Sequence, residues 1–135
     1  MPIDLEIVSP ERLLLSRPVD LVVIPASEGD IGVLPQHGPM IVMLRGGTIR
    51  VYDGRTVTDE LFVAGGFAEI TPERCTVLAN EAVPLAEVSR AEADRRLAAA
   101  EAAFASADKA DLPAQEAALE AQLSARAMQQ AAGGA

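Results

Sequence analysis

The chain has 135 residues, with 11 Lys+Arg against 20 Asp+Glu for a formal charge of −9, and aromatics make up only 3% with no Trp. That length suits one ordinary domain, or a small domain carrying an appendage, and needs no disulfide or metal to hold a core. The charge argues against a phosphate-backbone ligand and the missing aromatics against base or sugar stacking, while a lone His37 and a lone Cys75 are too few for a protein-only zinc site.

Up to Pro84, Val, Ile, Leu and Thr alternate with polar residues, and Gly or Pro punctuates them at short intervals. That is the pattern of an all-β sandwich or barrel. Ile3 to Ile7 alternates and puts Ile3, Leu5 and Ile7 on one face. Pro10, which offers no N–H to a ladder, breaks the run. Val19 to Ile24 is mostly apolar and reads as a strand covered on both faces. Ser27 to Asp30 is a turn, Ile31 to Leu34 a strand, Pro35 to Pro39 a loop and Met40 to Leu44 another strand. Arg45-Gly46-Gly47 leads into Thr48 to Tyr52, and Asp53-Gly54 then makes the strongest hairpin signal in the chain, returning through Thr56-Val57-Thr58. Leu61 to Ala64, Phe67 to Ile70 and Cys75 to Ala79 complete the set, with Gly65-Gly66 predicted to serve a close approach or an unusual backbone angle.

Beyond Pro84, Ala dominates and Gly is absent until Gly133, so the pattern turns helical. Ser89 to Glu92 predicts a capping box, with Ser89 accepting a backbone N–H and Glu92 reaching back. Ala93, Leu97, Ala100 and Phe104 then form one stripe. Asp108 to Pro113 is the connector, with Asp111 the N-cap of a second helix whose inner face is predicted as Leu119, Leu123 and Ala127. Gln129 to Ala135 is expected to fray. The expected class is α+β: a β-sandwich domain of about ten short strands over 1–84, then an antiparallel two-helix hairpin over 85–135. A buried Ala methyl contributes at most about 0.8 kcal/mol, so the hairpin is expected to be a docked, releasable element.

The candidate chemistry is thin. His37 has no second His and no Ser or Cys beside it in sequence, so it reads as a loop histidine that contacts a partner or solvent. Cys75 in an alternating strand reads as a small buried apolar residue. Gly29, Gly32 and Gly38 make no nucleotide fingerprint, and the only Lys, Lys109, sits in the helix connector. Glu28 with Asp30 beside a glycine is turn chemistry more often than a metal pair. No catalytic, metal or cofactor site is expected. No apolar run approaches the ~20 residues of a membrane span, and the acidic start is unlike a signal peptide.

Several stretches taken together resemble the epsilon-subunit family of the bacterial F-type ATP synthases. They are Asp4 to Arg12, Ser27 to Pro39 (SEGDIGVLPQHGP), Thr48 to Val51, Ala64 to Glu69 and Thr76 to Ala79, in the family's order across the whole β half. The resemblance implies a sandwich followed by a helical hairpin, and a non-catalytic rotor subunit of the central stalk in the catalytic core complex. Such a subunit binds gamma and the c ring and couples proton transport to ATP synthesis. It lies peripherally on the cytoplasmic face of the inner membrane, without inserting, and can reach alpha and beta through the hairpin. Family contact positions map onto Glu28, Asp30, Gly32, Pro35 and His37, and regulatory hairpin positions onto Ser89, Glu92 and Arg126.

The family's nucleotide motif, Ile/Leu-Asp-x-x-Arg-Ala, is replaced here by Val88 to Ala93, with Ser89 for the Asp and Glu92 for the Arg. ATP binding is therefore not expected. The second helix carries Arg126 against Glu116 and Glu120 and is expected to reach under ~30 Å, so it is expected to restrain ATP hydrolysis only weakly. The competing reading is a β-sandwich adaptor with a helical oligomerisation tail. A metal-dependent sandwich enzyme is disfavoured by the single His.

Overall fold

A computed structural model describes residues 2–133, which fall into two compact units meeting between Leu85 and Ala86. In the first unit the described strands are β1 (Ile3–Val8), β2 (Leu13–Val19), β3 (Leu21–Ala26), β4 (Gly29–Val33), β5 (Met40–Met43), β6 (Gly47–Asp53), β7 (Thr56–Ile70) and β8 (Arg74–Pro84). A 3-10 turn, Leu85–Glu87, spans the boundary, and the second unit holds α1 (Arg90–Ser106) and α2 (Leu112–Gly133). The α+β class holds. Eight strands stand where about ten short ones were expected, because three predicted segments between Thr56 and Ile70 run together as β7.

The fusion explains the sandwich. β7 pairs with β6 through Thr56 to Val63, then with β5 through Phe67 to Ile70, and keeps β8 on its other side from Leu61 to Ile70, across the change of partner. Between the two stretches the buried set changes parity, from Leu61 and Val63 to Ala68 and Ile70. β8 changes parity at the same level, from Cys75, Val77 and Ala79 to Ala82. Both strands bend together opposite Gly65 and Gly66, whose φ values of 72° and 106° lie where only glycine is comfortable. A continuous ladder thus folds over itself, a corner made by strands that serve both sheets. One layer holds β4, β3, β6, the first half of β7 and the end of β8; the other holds β5, the second half of β7, the start of β8, β1 and β2. Ile3, Leu5, Ile7, Val22, Ile24, Ile49 and Val51 join the β7 and β8 residues in the core between them.

The sequence pattern alone predicts no strand over Leu13 to Pro18 and one continuous strand from Val19 across Asp20 to Ile24. The leucine run has no alternation, and Pro18 argues against a central strand. β2 is an edge strand paired only with β1, so Pro18 opposite Asp4 is tolerated there. Asp20 is instead the corner between β2 and β3.

In the second unit, Glu92 N–H donates to Ser89 Oγ at 3.2 Å, so Ser89 caps α1 as expected. The other half of the predicted box is different: the Glu92 carboxylate is taken forward along the helix by Arg95 and by Arg96, the latter at 2.9 Å. Asp111 caps α2, accepting from Ala114 N–H at 3.1 Å. The predicted inner stripe needs correction. Ala93, Ala100, Ala118, Ala125 and Met128 are buried, whereas Phe104, Leu119 and Leu123 are exposed and Leu97 is half-buried. Small side chains let two helices approach closely, and a leucine at the contact line would hold them apart. α2 also runs on to Gly133 where fraying was expected from Gln129, giving 22 residues and about 33 Å in place of the shorter reach foreseen. Gly134 and Ala135, part of that expected fray, lie outside the described residues.

Candidate functional site

The Ser27 to Pro39 stretch forms one end of the β3–β4–β5 region. Ser27 and Glu28 are the two turn residues between Ala26 and Gly29, and Gly29 takes φ 142°, a conformation that suits glycine. Asp30 and Gly32 lie on β4, an edge strand. Pro35 and His37 lie in the loop to β5. That loop is held by Gln36 N–H donating to the Pro72 carbonyl at 2.7 Å and His37 N–H donating to Leu34 at 3.2 Å. Gln36 itself has φ 66°, a local strain these bonds maintain. His37 Nδ1 lies 2.7 Å from the Gly38 carbonyl oxygen, which accepts from it.

Sequence reasoning missed Arg45, the side chain that fixes this tip. Its guanidinium donates to the Ala26 carbonyl at 2.5 Å and to Asp30 Oδ1 at 2.6 Å, while its backbone N–H donates to the Pro25 carbonyl at 2.9 Å. Ser27 N–H donates to Met43 at 2.8 Å, so the tip is tied to the end of β5. Next to these ties lies a cleft of about 450 Å³, lined by Ala26 to Ile31 and Met40 to Met43. Asp30 is therefore compensated in place. Glu28 stands beside it at the turn.

A second feature lies on the outer face of the β5–β7–β8–β1–β2 layer. Register places Met43 opposite Phe67, Phe67 opposite Leu78, Leu78 opposite Val8 and Val8 opposite Leu13. The result is an apolar row across five strands. Leu13, Leu78, Phe67 and Met43 are 56%, 39%, 39% and 61% exposed. Isolated exposed apolar residues need no explanation, whereas these four stand with Val8 in one contiguous row. Its neighbouring row, Ser16, Glu6, Thr76, Glu69 and Ile41, is mostly polar and supplies a rim.

The hairpin positions lie in the second unit. Ser89 is engaged as a cap, Glu92 is paired with two arginines, and Arg126 is exposed on α2. The Glu92 carboxylate is thus shared by Arg95 and Arg96 within the first turns of α1. Cys75 is fully buried, as read from sequence, and burial pushes its thiol from 9.0 up to about 12. No cluster of metal-ligating side chains occurs among the described residues, and no described helix is long and apolar enough to cross a membrane.

Residues 2–85 match the family described as ATP synthase, Delta/Epsilon chain, beta-sandwich domain. The chain is 66% identical over 128 residues to the ATP synthase epsilon chain of Granulibacter bethesdensis, covering 95% of each. It is 48% identical over 134 residues to the epsilon chain of Gluconacetobacter diazotrophicus, covering 99% of this chain and 95% of that one. Among solved structures it is similar to a chain in the Euglena gracilis mitochondrial ATP synthase OSCP/F1/c-ring assembly. The TM-score there is 0.77 at 27% identity, over 96% of this chain and 81% of that one. A chain of the Tetrahymena thermophila mitochondrial central stalk and c ring shares the fold, with a TM-score of 0.68 at 12% identity.

Proposed function

Since the chain belongs to the ATP synthase epsilon-chain family, with its sandwich in the delta/epsilon class, we propose that it is a non-catalytic rotor subunit binding gamma and the c ring. In that role it couples proton translocation to ATP synthesis while lying peripherally on the cytoplasmic face of the inner membrane. The observation that carries this reading is the uncovered apolar row Leu13–Val8–Leu78–Phe67–Met43, set on a rigid sheet with a polar rim. The row suits a partner that offers an apolar surface of its own, the part we assign to gamma. The Arg45-pinned tip, with Glu28, Asp30 and Gly32, and the Pro35 to His37 loop suit the polar loops of the ring. Co-expression with gamma tests the reading: stoichiometric co-elution supports it, and separate elution at micromolar concentration contradicts it.

The hairpin is proposed to serve coupling more than inhibition. α2 carries Glu116 and Glu120 against Arg126, so it would meet acidic loops of alpha and beta with like charge. At 22 residues α2 is not short, so like charge is what opposes an inhibitory grip. Truncation after Val88 in assembled enzyme is expected to leave ATP hydrolysis unchanged. A several-fold rise would show that the hairpin is a brake.

A further inference from the structure

Asp53 is the one Asp in the sequence followed by Gly, and the single Asn, Asn80, is followed by Glu. Asp-Gly bonds are the most prone to spontaneous isomerisation, because glycine offers the least steric resistance to attack by its own nitrogen. Here the bond spans the end of β6 and the exposed turn to β7, with Gly54 at φ 61°.

The turn is gripped from outside its own hairpin. Gly54 N–H donates to Asp20 Oδ2 at 2.6 Å, and Asp20 N–H donates to the Tyr52 carbonyl at 3.1 Å. Asp20 comes from the corner between β2 and β3, so an otherwise free hairpin tip is fastened to the sandwich at two points. We propose that Asp53–Gly54 is the chain's site of aspartate isomerisation and that Asp20 suppresses the reaction in the folded protein.

The chemistry is specific about the atom Asp20 holds. The Gly54 nitrogen attacks Asp53 Cγ, and the new N–Cγ bond closes a five-membered succinimide. The Gly54 proton leaves with a carboxyl oxygen and a second proton as water. Water then opens the ring at one of its two carbonyls, restoring aspartate or sending the main chain through the side chain as isoaspartate. The step is neither oxidation nor reduction, and water is its only co-reactant.

Attack requires the nitrogen to shed its proton and to swing toward Cγ. A carboxylate 2.6 Å from that nitrogen opposes the first, since a second negative charge would form against its own. The charge-assisted bond, together with the pairing of Asp53 with Thr56, opposes the second. Isomerisation is thereby tied to local opening of the turn. Its product would add a backbone atom between Asp53 and Gly54, in a two-residue turn with no room for one.

The test is ageing of the full chain at neutral pH, with isoaspartate at residue 53 measured by peptide mapping. Labelling of the buried Cys75 thiol in the same samples reports opening of the whole sandwich. Wild type is expected to age many-fold more slowly folded than in denaturant. Asp20→Ala should raise the folded rate several-fold with Cys75 labelling unchanged, and Asp20→Asn, which keeps an acceptor without the charge, should lie between. Folded-state rates equal to wild type in both variants overturn the proposal, and so does a rise that merely parallels Cys75 labelling.

Discussion

Gly66 passes so close to Leu78 that a Cβ built on it would stand 2.1 Å from the Leu78 carbonyl oxygen. Backbone meets backbone there, so no side-chain adjustment can relieve the contact. With φ at 106° the conformation is also closed to other residues. Gly66→Ala is expected to cost about 3 kcal/mol or more in chemical denaturation. Gly54→Ala, where nothing lies within 4 Å, should cost only about 1 kcal/mol. Equal losses would show that the bend is not the fixed point of the fold.

How far the sequence could be read follows from the range of each signal. The Asp53-Gly54 hairpin and the glycine pair at 65 and 66 are local, and both were legible as punctuation. That Gly65-Gly66 bends one long strand instead of separating two was not, because the continuous pairing with β8 is what defines the strand. The apolar row was out of reach for a similar reason. Val8 meets Leu78 through a parallel pairing of distant segments, and Met43 meets Phe67 through a strand exchange at the bend. Asp30 and His37 stand in a readable motif, but Arg45, which fixes the tip, lies in no recognisable pattern and shows itself only through its bonds.

The buried line of the helical hairpin makes a prediction that inverts the usual expectation for leucine. Ala118→Leu or Ala125→Leu should destabilise the helical unit by about 1–3 kcal/mol through overpacking. Leu119→Ala, at an exposed position, should change it by about 0.5 kcal/mol or less. Thermal melting followed at the helical circular-dichroism band distinguishes the two. Loss on Leu119→Ala with tolerance of Ala118→Leu would restore the leucine stripe as the inner face.

Cys75 sets an alkaline limit on the sandwich. Its folded pKa, near 12 through burial, lies above the 9.0 of an unperturbed thiol, so the protonated form is favoured in the native state. The stability linked to it is fully present below pH 9 and is lost as pH rises toward 12. Cys75→Ala should flatten that decline between pH 9 and 12, while alkylation of the native thiol stays slow at neutral pH. An alkaline limb identical in both proteins would assign the loss to other groups.

The most direct test of the docking account is the affinity for gamma of the chain carrying Phe67→Glu and Leu78→Glu together. Both side chains point outward from a paired position in the row, so the substitutions should leave the core and the melting temperature nearly unchanged. Truncating central apolar residues of an interface costs about 2 kcal/mol or more each. Gamma affinity measured by titration should therefore fall by at least about a hundredfold. Asp30→Arg should leave gamma affinity intact, with its exposed ion pair worth at most about 1 kcal/mol to folding, and should impair coupled proton pumping instead. Wild-type gamma affinity in the doubly substituted chain would contradict the account and place the docking surface elsewhere.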